Sequence, residues 1–138
     1  MRMYQVDAFS RELFKGNPAA VLVLDQWLDD AKMQNIALEN NLAETAFVKK
    51  IASNQDNVIS SEENVDSYKI RWFTPTVEVD FCGHATLASA FVLFKDFTQA
   101  KTIHFHVKNL GNLSSMKYFS FLASFGKLAY LDLSNKPL

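Results

Sequence analysis

The segment Cys82-Gly83-His84 places a thiol and an imidazole directly before a run of mostly apolar or small residues, 85–94. The run predicts a helix that begins at this segment. The first turn of a helix presents backbone N–H groups without intrahelical partners and the positive end of the helix dipole. These groups and the two side chains predict a site for a small anion such as a carboxylate. The alternative is that His84 only caps the helix or packs locally.

Glu44 is the second candidate for chemistry. It lies in a predicted strand on the same face as Leu42, Ala46 and Val48. A carboxylate among such neighbours loses hydration, which suits a group that takes up and releases a proton. The alternative is a register shifted by one residue, with Glu44 pointing to solvent from an edge strand.

Strands alternating with two helices must position these residues. Asp29 is the predicted N-cap of a helix that runs to about Glu39 and stops at Asn40-Asn41, and a second helix spans His84 to Lys95. Residues 52–67 are polar and predict a loop. The predicted strands are 4–9, 19–24, 42–51, 68–73, 102–107 and 127–133.

Composition limits the classes of function. The chain has 138 residues, 49% of them hydrophobic, and 14 basic against 15 acidic side chains give a net charge of −1. This predicts a globular domain with a small ligand and argues against nucleic acid or an anionic membrane surface as a partner. The longest apolar run is too short to span a bilayer, and one cysteine cannot form an internal disulfide, so we expect a cytoplasmic protein.

A possible metal motif occurs at His104 and His106, which alternate with Ile103, Phe105 and Val107. Zinc sites need three or four ligands, and nothing else near this strand supplies them. We therefore predict a solvated strand face here and no metal or other cofactor.

Three motifs in order resemble the phenazine-biosynthesis-like PhzF family, which has the diaminopimelate epimerase-like fold. They are residues 16–21, 41–48 and 71–94, and the similarity extends from Met3 to about Val107. The resemblance implies an α+β domain with a curved sheet wrapped around a central helix. It also implies a cofactor-independent isomerase or epimerase that moves a proton on a small carboxylate substrate.

The resemblance also implies roles for single residues. Glu44 corresponds to the general acid/base of the family, and Gly83 and His84 correspond to the pair that contacts substrate. Asn17 lies in a glycine-asparagine turn similar to one in diaminopimelate epimerases, so it either reaches substrate or satisfies its own backbone. Epimerases and racemases with two catalytic thiols carry one near the position of Cys82, but they need a second cysteine. We therefore expect Cys82 to be packed and inert.

The length departs from the family. Relatives have two pseudo-symmetric domains with the active site between them, whereas we expect residues 1–138 to form a single N-terminal domain with an atypical tail, 108–138, and no second domain. Three hypotheses follow: an isomerase that acts as a homodimer, a non-catalytic domain that binds small anions, and a fragment of a longer enzyme.

Overall fold

The computed structural model describes residues 1–10, 12, 14–52, 64–116 and 129–132. Within this part the chain forms eight strands and two helices. In chain order they are β1 Arg2–Ala8, β2 Asn17–Leu24, α1 Asp30–Asn40, β3 Glu44–Lys50, β4 Val65–Phe73, β5 Glu78–Val79, α2 Gly83–Asp96, β6 Thr102–Val107, β7 Gly111–Met116 and β8 Ala129–Asp132.

The strands form one mixed sheet in the order β7-β6-β4-β3-β2-β1-β8, and β5 pairs with β4 outside this path. The β2–β3 and β4–β6 pairs are parallel, and the other pairs are antiparallel. Each parallel pair is joined by a segment that contains a helix, as parallel neighbours require. The α+β fold with a curved sheet is therefore confirmed.

The two helices lie on opposite faces of the sheet. The apolar face of α2 packs mainly against β1, β2 and β3. Alternate residues of the central strands point toward α2, and the intervening residues point toward α1. The α2 side includes Tyr4, Val21, Val48, Ile70, Trp72 and Phe105, and the α1 side includes Met3, Leu22, Phe47, Phe73, Met33 and Ala37.

The boundaries of α1 follow from its end residues. Asp29 has an extended backbone, and its side chain accepts a hydrogen bond of 2.8 Å from the backbone N–H of Lys32. Asn41 adopts the left-handed conformation that ends helices, with φ 49° and ψ 37°, and its N–H donates to the carbonyl of Ala37. The predicted cap and stop of this helix are confirmed.

Leu42 differs from its predicted position. β3 begins at Glu44, and the turn at Asn41 sends Leu42 to the α1 side of the sheet. Ala46 and Val48 lie on the α2 side. The expectation that Leu42 shares a face with Ala46 and Val48 is therefore wrong, because it extended the strand alternation through a helix cap.

The structure confirms some of the other sequence predictions and corrects others. In β4 and β6 the predicted alternation of faces is confirmed, with Ile103, Phe105 and Val107 buried on the α2 side. Residues 65–67 of the predicted loop belong to β4, and residues 53–63 lie outside the described part. Within the predicted atypical tail, 111–116 forms β7 against β6 and 129–132 forms β8 against β1.

Neither described helix is long and apolar enough to cross a membrane.

Candidate active site

Glu44 is the first residue of β3, which lies between β2 and β4 in the interior of the sheet. In the parallel β2–β3 register, Glu44 lies opposite Ala19. Strand alternation places its side chain on the α2 side with Ala46 and Val48. The side chain is 18% exposed. The alternative, in which Glu44 points to solvent from an edge strand, therefore does not occur in this sheet.

His84 is the second residue of α2, and its side chain is 13% exposed. Its Nε2 atom lies 3.2 Å from Oε2 of Glu44, and its Nδ1 atom lies 3.2 Å from Sγ of Cys82. Within the part of the chain that the structure describes, Nε2 is buried and the approach of Glu44 is not aligned as a hydrogen bond. The imidazole thus lies between a carboxylate and a thiol.

Cys82 occupies the N-cap position of α2 and makes no side-chain capping bond. Its carbonyl instead accepts hydrogen bonds from the hydroxyl and the backbone N–H of Thr86, at 2.6 and 3.1 Å. Burial raises the pKa of the Cys82 thiol, and the nearby Glu44 carboxylate raises it further. The backbone N–H groups of Ala85 and His84 act against this effect. Cys82 is thus a buried thiol in a polar cluster.

Gly83 is adjacent to this cluster in the chain, and Asn17 lies at the same end of the sheet. Gly83 begins α2 and is exposed, and a Cβ atom there would meet only the ring of Phe81, at 3.9 Å. Asn17 begins β2 and is also exposed. It lies two positions before Ala19, the partner of Glu44, and therefore at the same end of the sheet. The positive end of the α2 dipole lies at this end and favours an anionic ligand.

The structure brings Glu44 to the pair of Cys82 and His84, which the sequence already placed together at the start of a helix. One ligand atom from each of Glu44, Cys82 and His84 can be chosen so that all three lie within 4.8 Å of one another. The spacing of Cys82 and His84 indicated that both stand at the start of a helix. Their contact with Glu44 depends on how α2 packs over the sheet, and no local pattern carries that information.

The fold and the site define a class of protein, the α+β proteins of the epimerase-like type. A PhzF-family phenazine biosynthesis protein from Enterococcus faecalis superimposes with a TM-score of 0.68 at 51% identity, over 84% of this chain and 40% of that protein. A putative PhzC/PhzF protein from Clostridium difficile gives a TM-score of 0.69 at 42% identity, over 85% and 40%. A predicted epimerase from Pseudomonas aeruginosa gives 0.63 at 26% identity, over 84% and 38%.

The sequence comparison gives the family. The model of the phenazine biosynthesis-like proteins, PhzC-PhzF, matches residues 6–118. The chain belongs to this family, as the three motifs indicated.

Curated relatives carry isomerase or domain names. An uncharacterized isomerase of Pseudomonas aeruginosa is 48% identical over 114 residues, which are 83% of this chain and 39% of the relative. A human phenazine biosynthesis-like domain-containing protein is 50% identical over 92 residues, 67% of this chain and 30% of that protein. The chain therefore spans less than half the length of these relatives.

Proposed function

We propose that this chain provides the acid/base part of an isomerase that moves a proton on a small carboxylate substrate, with Glu44 as the acid/base. The observation that carries the proposal is the position of the Glu44 carboxylate, 3.2 Å from His84 and facing the N-terminus of α2. The family membership and the isomerase names of relatives point in the same direction.

The reaction that fits this site is a proton shift. The Glu44 carboxylate removes a proton from a carbon atom of the substrate, and the electron pair of the C–H bond moves into the adjacent unsaturated system. The resulting carboxylic acid returns a proton to a different carbon atom on the same face of the substrate. One proton is removed and one is returned, so the reaction needs no redox partner, and the carboxylic acid can exchange its proton with solvent between the two steps.

The N-terminus of α2 binds the substrate carboxylate in this proposal. Gly83 is exposed at the first position of the helix, where backbone N–H groups and the helix dipole favour an anion. His84 orients the substrate from the adjacent position. Asn17, exposed at the same end of the sheet, supplies an amide to a polar group of the substrate.

A second copy of the chain closes the site in this proposal. Phe9, Phe14 and Phe81 are each more than half exposed. Phe9 and Phe14 lie between β1 and β2 at the end of the sheet that carries Glu44, and Phe81 precedes Cys82. Exposed phenyl groups around a polar site favour association with another apolar surface. Light scattering over a concentration series should show a dimer that Phe14→Ser weakens, and a monomer at every concentration would refute this part.

The acid/base role is tested by exchange of carbon-bound hydrogen with deuterated water. A panel of small unsaturated and hydroxylated carboxylic acids is incubated with the protein and followed by NMR. Glu44→Gln keeps the size and polarity of the side chain but removes the proton acceptor, so we expect exchange to fall about 10²–10⁴-fold. Glu39→Gln, on the exposed side of α1, is the matched control and should exchange like the wild type.

Two results would count against the proposal. Exchange that is equally fast in the Glu44→Gln protein would assign the proton transfer to another group. Saturable binding of the acids by calorimetry with no exchange by the wild type would favour a domain that only binds small anions.

A further inference from the structure

We propose that Glu44, Cys82 and His84 form a binding site for Zn²⁺. The three residues offer a carboxylate oxygen, a thiolate sulfur and an imidazole nitrogen, which are the three side-chain ligand types of zinc proteins. Their ligand atoms lie within 4.8 Å of one another before any metal is bound. This goes beyond the proposed isomerase function, which needs no metal.

The distance between Cys82 and His84 suits a shared metal ion. In a tetrahedral site with Zn–S of about 2.3 Å and Zn–N of about 2.0 Å, the sulfur and nitrogen atoms stand roughly 3.5 Å apart. Sγ of Cys82 and Nδ1 of His84 are 3.2 Å apart. A small outward shift of either atom therefore makes room for the ion between them, and a rotation of the Glu44 side chain brings in the third ligand.

The elements that carry the ligands are well packed. Cys82 and His84 stand at the start of α2, whose next buried residues, Ala85 and Ala88, are fully enclosed against the sheet. Glu44 begins an interior strand. Ligands held on packed elements lose little conformational freedom when a metal binds. The entropic cost of binding is therefore lower than for mobile side chains in solvent.

The charges and the ligand types select the ion. On binding, the Cys82 thiol releases its proton to solvent, and the thiolate with the Glu44 carboxylate neutralises the two positive charges of Zn²⁺. This local neutrality offsets the positive end of the α2 dipole, which alone disfavours a cation. A sulfur and an imidazole ligand favour Zn²⁺ over Mg²⁺ or Ca²⁺, and three protein ligands leave a fourth position for water or a substrate carboxylate.

The consequence for activity rests on the proposed function. A metal ion bound to Glu44 removes the group that transfers the proton, so Zn²⁺ should inhibit the isomerase reversibly. The test of the metal site uses a spectroscopic signal that does not depend on activity. A failure of the metal site can therefore be distinguished from a failure of the isomerase proposal.

Cobalt is the probe, because Co²⁺ replaces Zn²⁺ and a cobalt–thiolate bond gives a charge-transfer absorption in the near ultraviolet. Cys82 is the only cysteine of the chain, so such a band reports on this residue alone. We expect the band in the wild-type chain and its loss on addition of Zn²⁺. Cys82→Ser should lack it, and Glu44→Gln and His84→Gln should weaken Co²⁺ binding by roughly a hundredfold or more, since even outer partners contribute about 10–100-fold.

The matched control is His104→Gln, which removes one of the two histidines of β6 and should leave the band unchanged. The proposal is overturned if the wild type gives no thiolate band with Co²⁺. It is also overturned if the band has undiminished affinity in both Glu44→Gln and His84→Gln, because the metal would then bind Cys82 alone. The wild-type spectrum decides the question even if a variant fails to fold.

Discussion

Nε2 of His84 lies 3.2 Å from Oε2 of Glu44 and so joins the first turn of α2 to the first residue of β3. Neither side chain is near the other in the sequence. Their contact depends on the parallel pairing of β2 with β3 and on the packing of α2 against these strands. In the proposed function Glu44 is the acid/base group of this site and His84 orients the ligand, so substitutions of the two residues should have different effects.

Substitution of His84 should separate binding from chemistry. In His84→Gln we expect KM for carboxylate substrates to rise by a larger factor than kcat changes. The reason is that an orienting contact stabilises bound substrate and transition state alike. Steady-state kinetics of deuterium exchange measures both constants, and His104→Gln is the control. A fall in kcat as large as that of Glu44→Gln, with KM unchanged, would instead make His84 a participant in proton transfer.

Gly16 should not tolerate a side chain. A Cβ atom at this position would clash with the carbonyl oxygen of Ala8 and lie 3.0 Å from Cβ of Asp7. Because the first contact is with backbone, Gly16→Ala should lower the free energy of unfolding by about 1–3 kcal/mol. It should also disturb the adjacent Asn17, which the proposed function assigns to the substrate site.

Gly83→Ala is the control for this substitution, since a Cβ atom there meets only the ring of Phe81 at 3.9 Å. Urea unfolding of the two variants gives the comparison. Equal stability of Gly16→Ala and the wild type would mean that the β1–β2 connection relaxes at little cost.

The sequence predicted those parts of the fold and site that local patterns determine. Period-two alternation fixed the faces of β4 and β6, and an acidic N-cap with an asparagine stop fixed α1. The same alternation placed Glu44 on the side of Ala46 and Val48. It failed at Leu42, because the left-handed backbone of Asn41 changes the direction of the chain before β3 begins.

Long-range contacts determine the parts of the fold and the site that local sequence patterns do not predict. β7 has the polar sequence Gly-Asn-Leu-Ser-Ser-Met and becomes a strand by pairing with β6 at the edge of the sheet. Cys82 was expected to be inert because no second cysteine exists. Its contact with His84 joins two residues at the start of the same helix, whereas the proximity of Glu44 to both arises from the packing of α2 over the sheet.

The ion pair of Arg71 with Glu78 should contribute modestly to stability. Two hydrogen bonds of 2.7 Å join the guanidinium to the carboxylate, in the segment that leads to Cys82. The side chains are 21% and 39% exposed, so solvent screening limits the gain. A double-mutant cycle with Arg71→Met and Glu78→Gln should give a coupling of about 0.5–1 kcal/mol.

The exposed pair of Glu12 with Lys15 is the comparison for that cycle. Its side chains are mostly in solvent, and we expect a coupling near zero from urea unfolding of the corresponding variants. A larger coupling for this pair than for Arg71 and Glu78 would contradict the view that geometry and partial burial decide the difference.

The Cys82 thiol should react slowly with alkylating agents at neutral pH. Burial raises its pKa, so the folded chain holds less of the reactive thiolate than an ordinary cysteine at the same pH. The rate of alkylation should therefore increase with pH, and the increase should extend to higher pH than in the unfolded chain. Mass spectrometry of iodoacetamide labelling from neutral to alkaline pH, with the chain in urea as the control, measures both profiles. Labelling of the folded chain at neutral pH as fast as in urea would instead indicate a thiolate stabilised by the backbone N–H groups of His84 and Ala85.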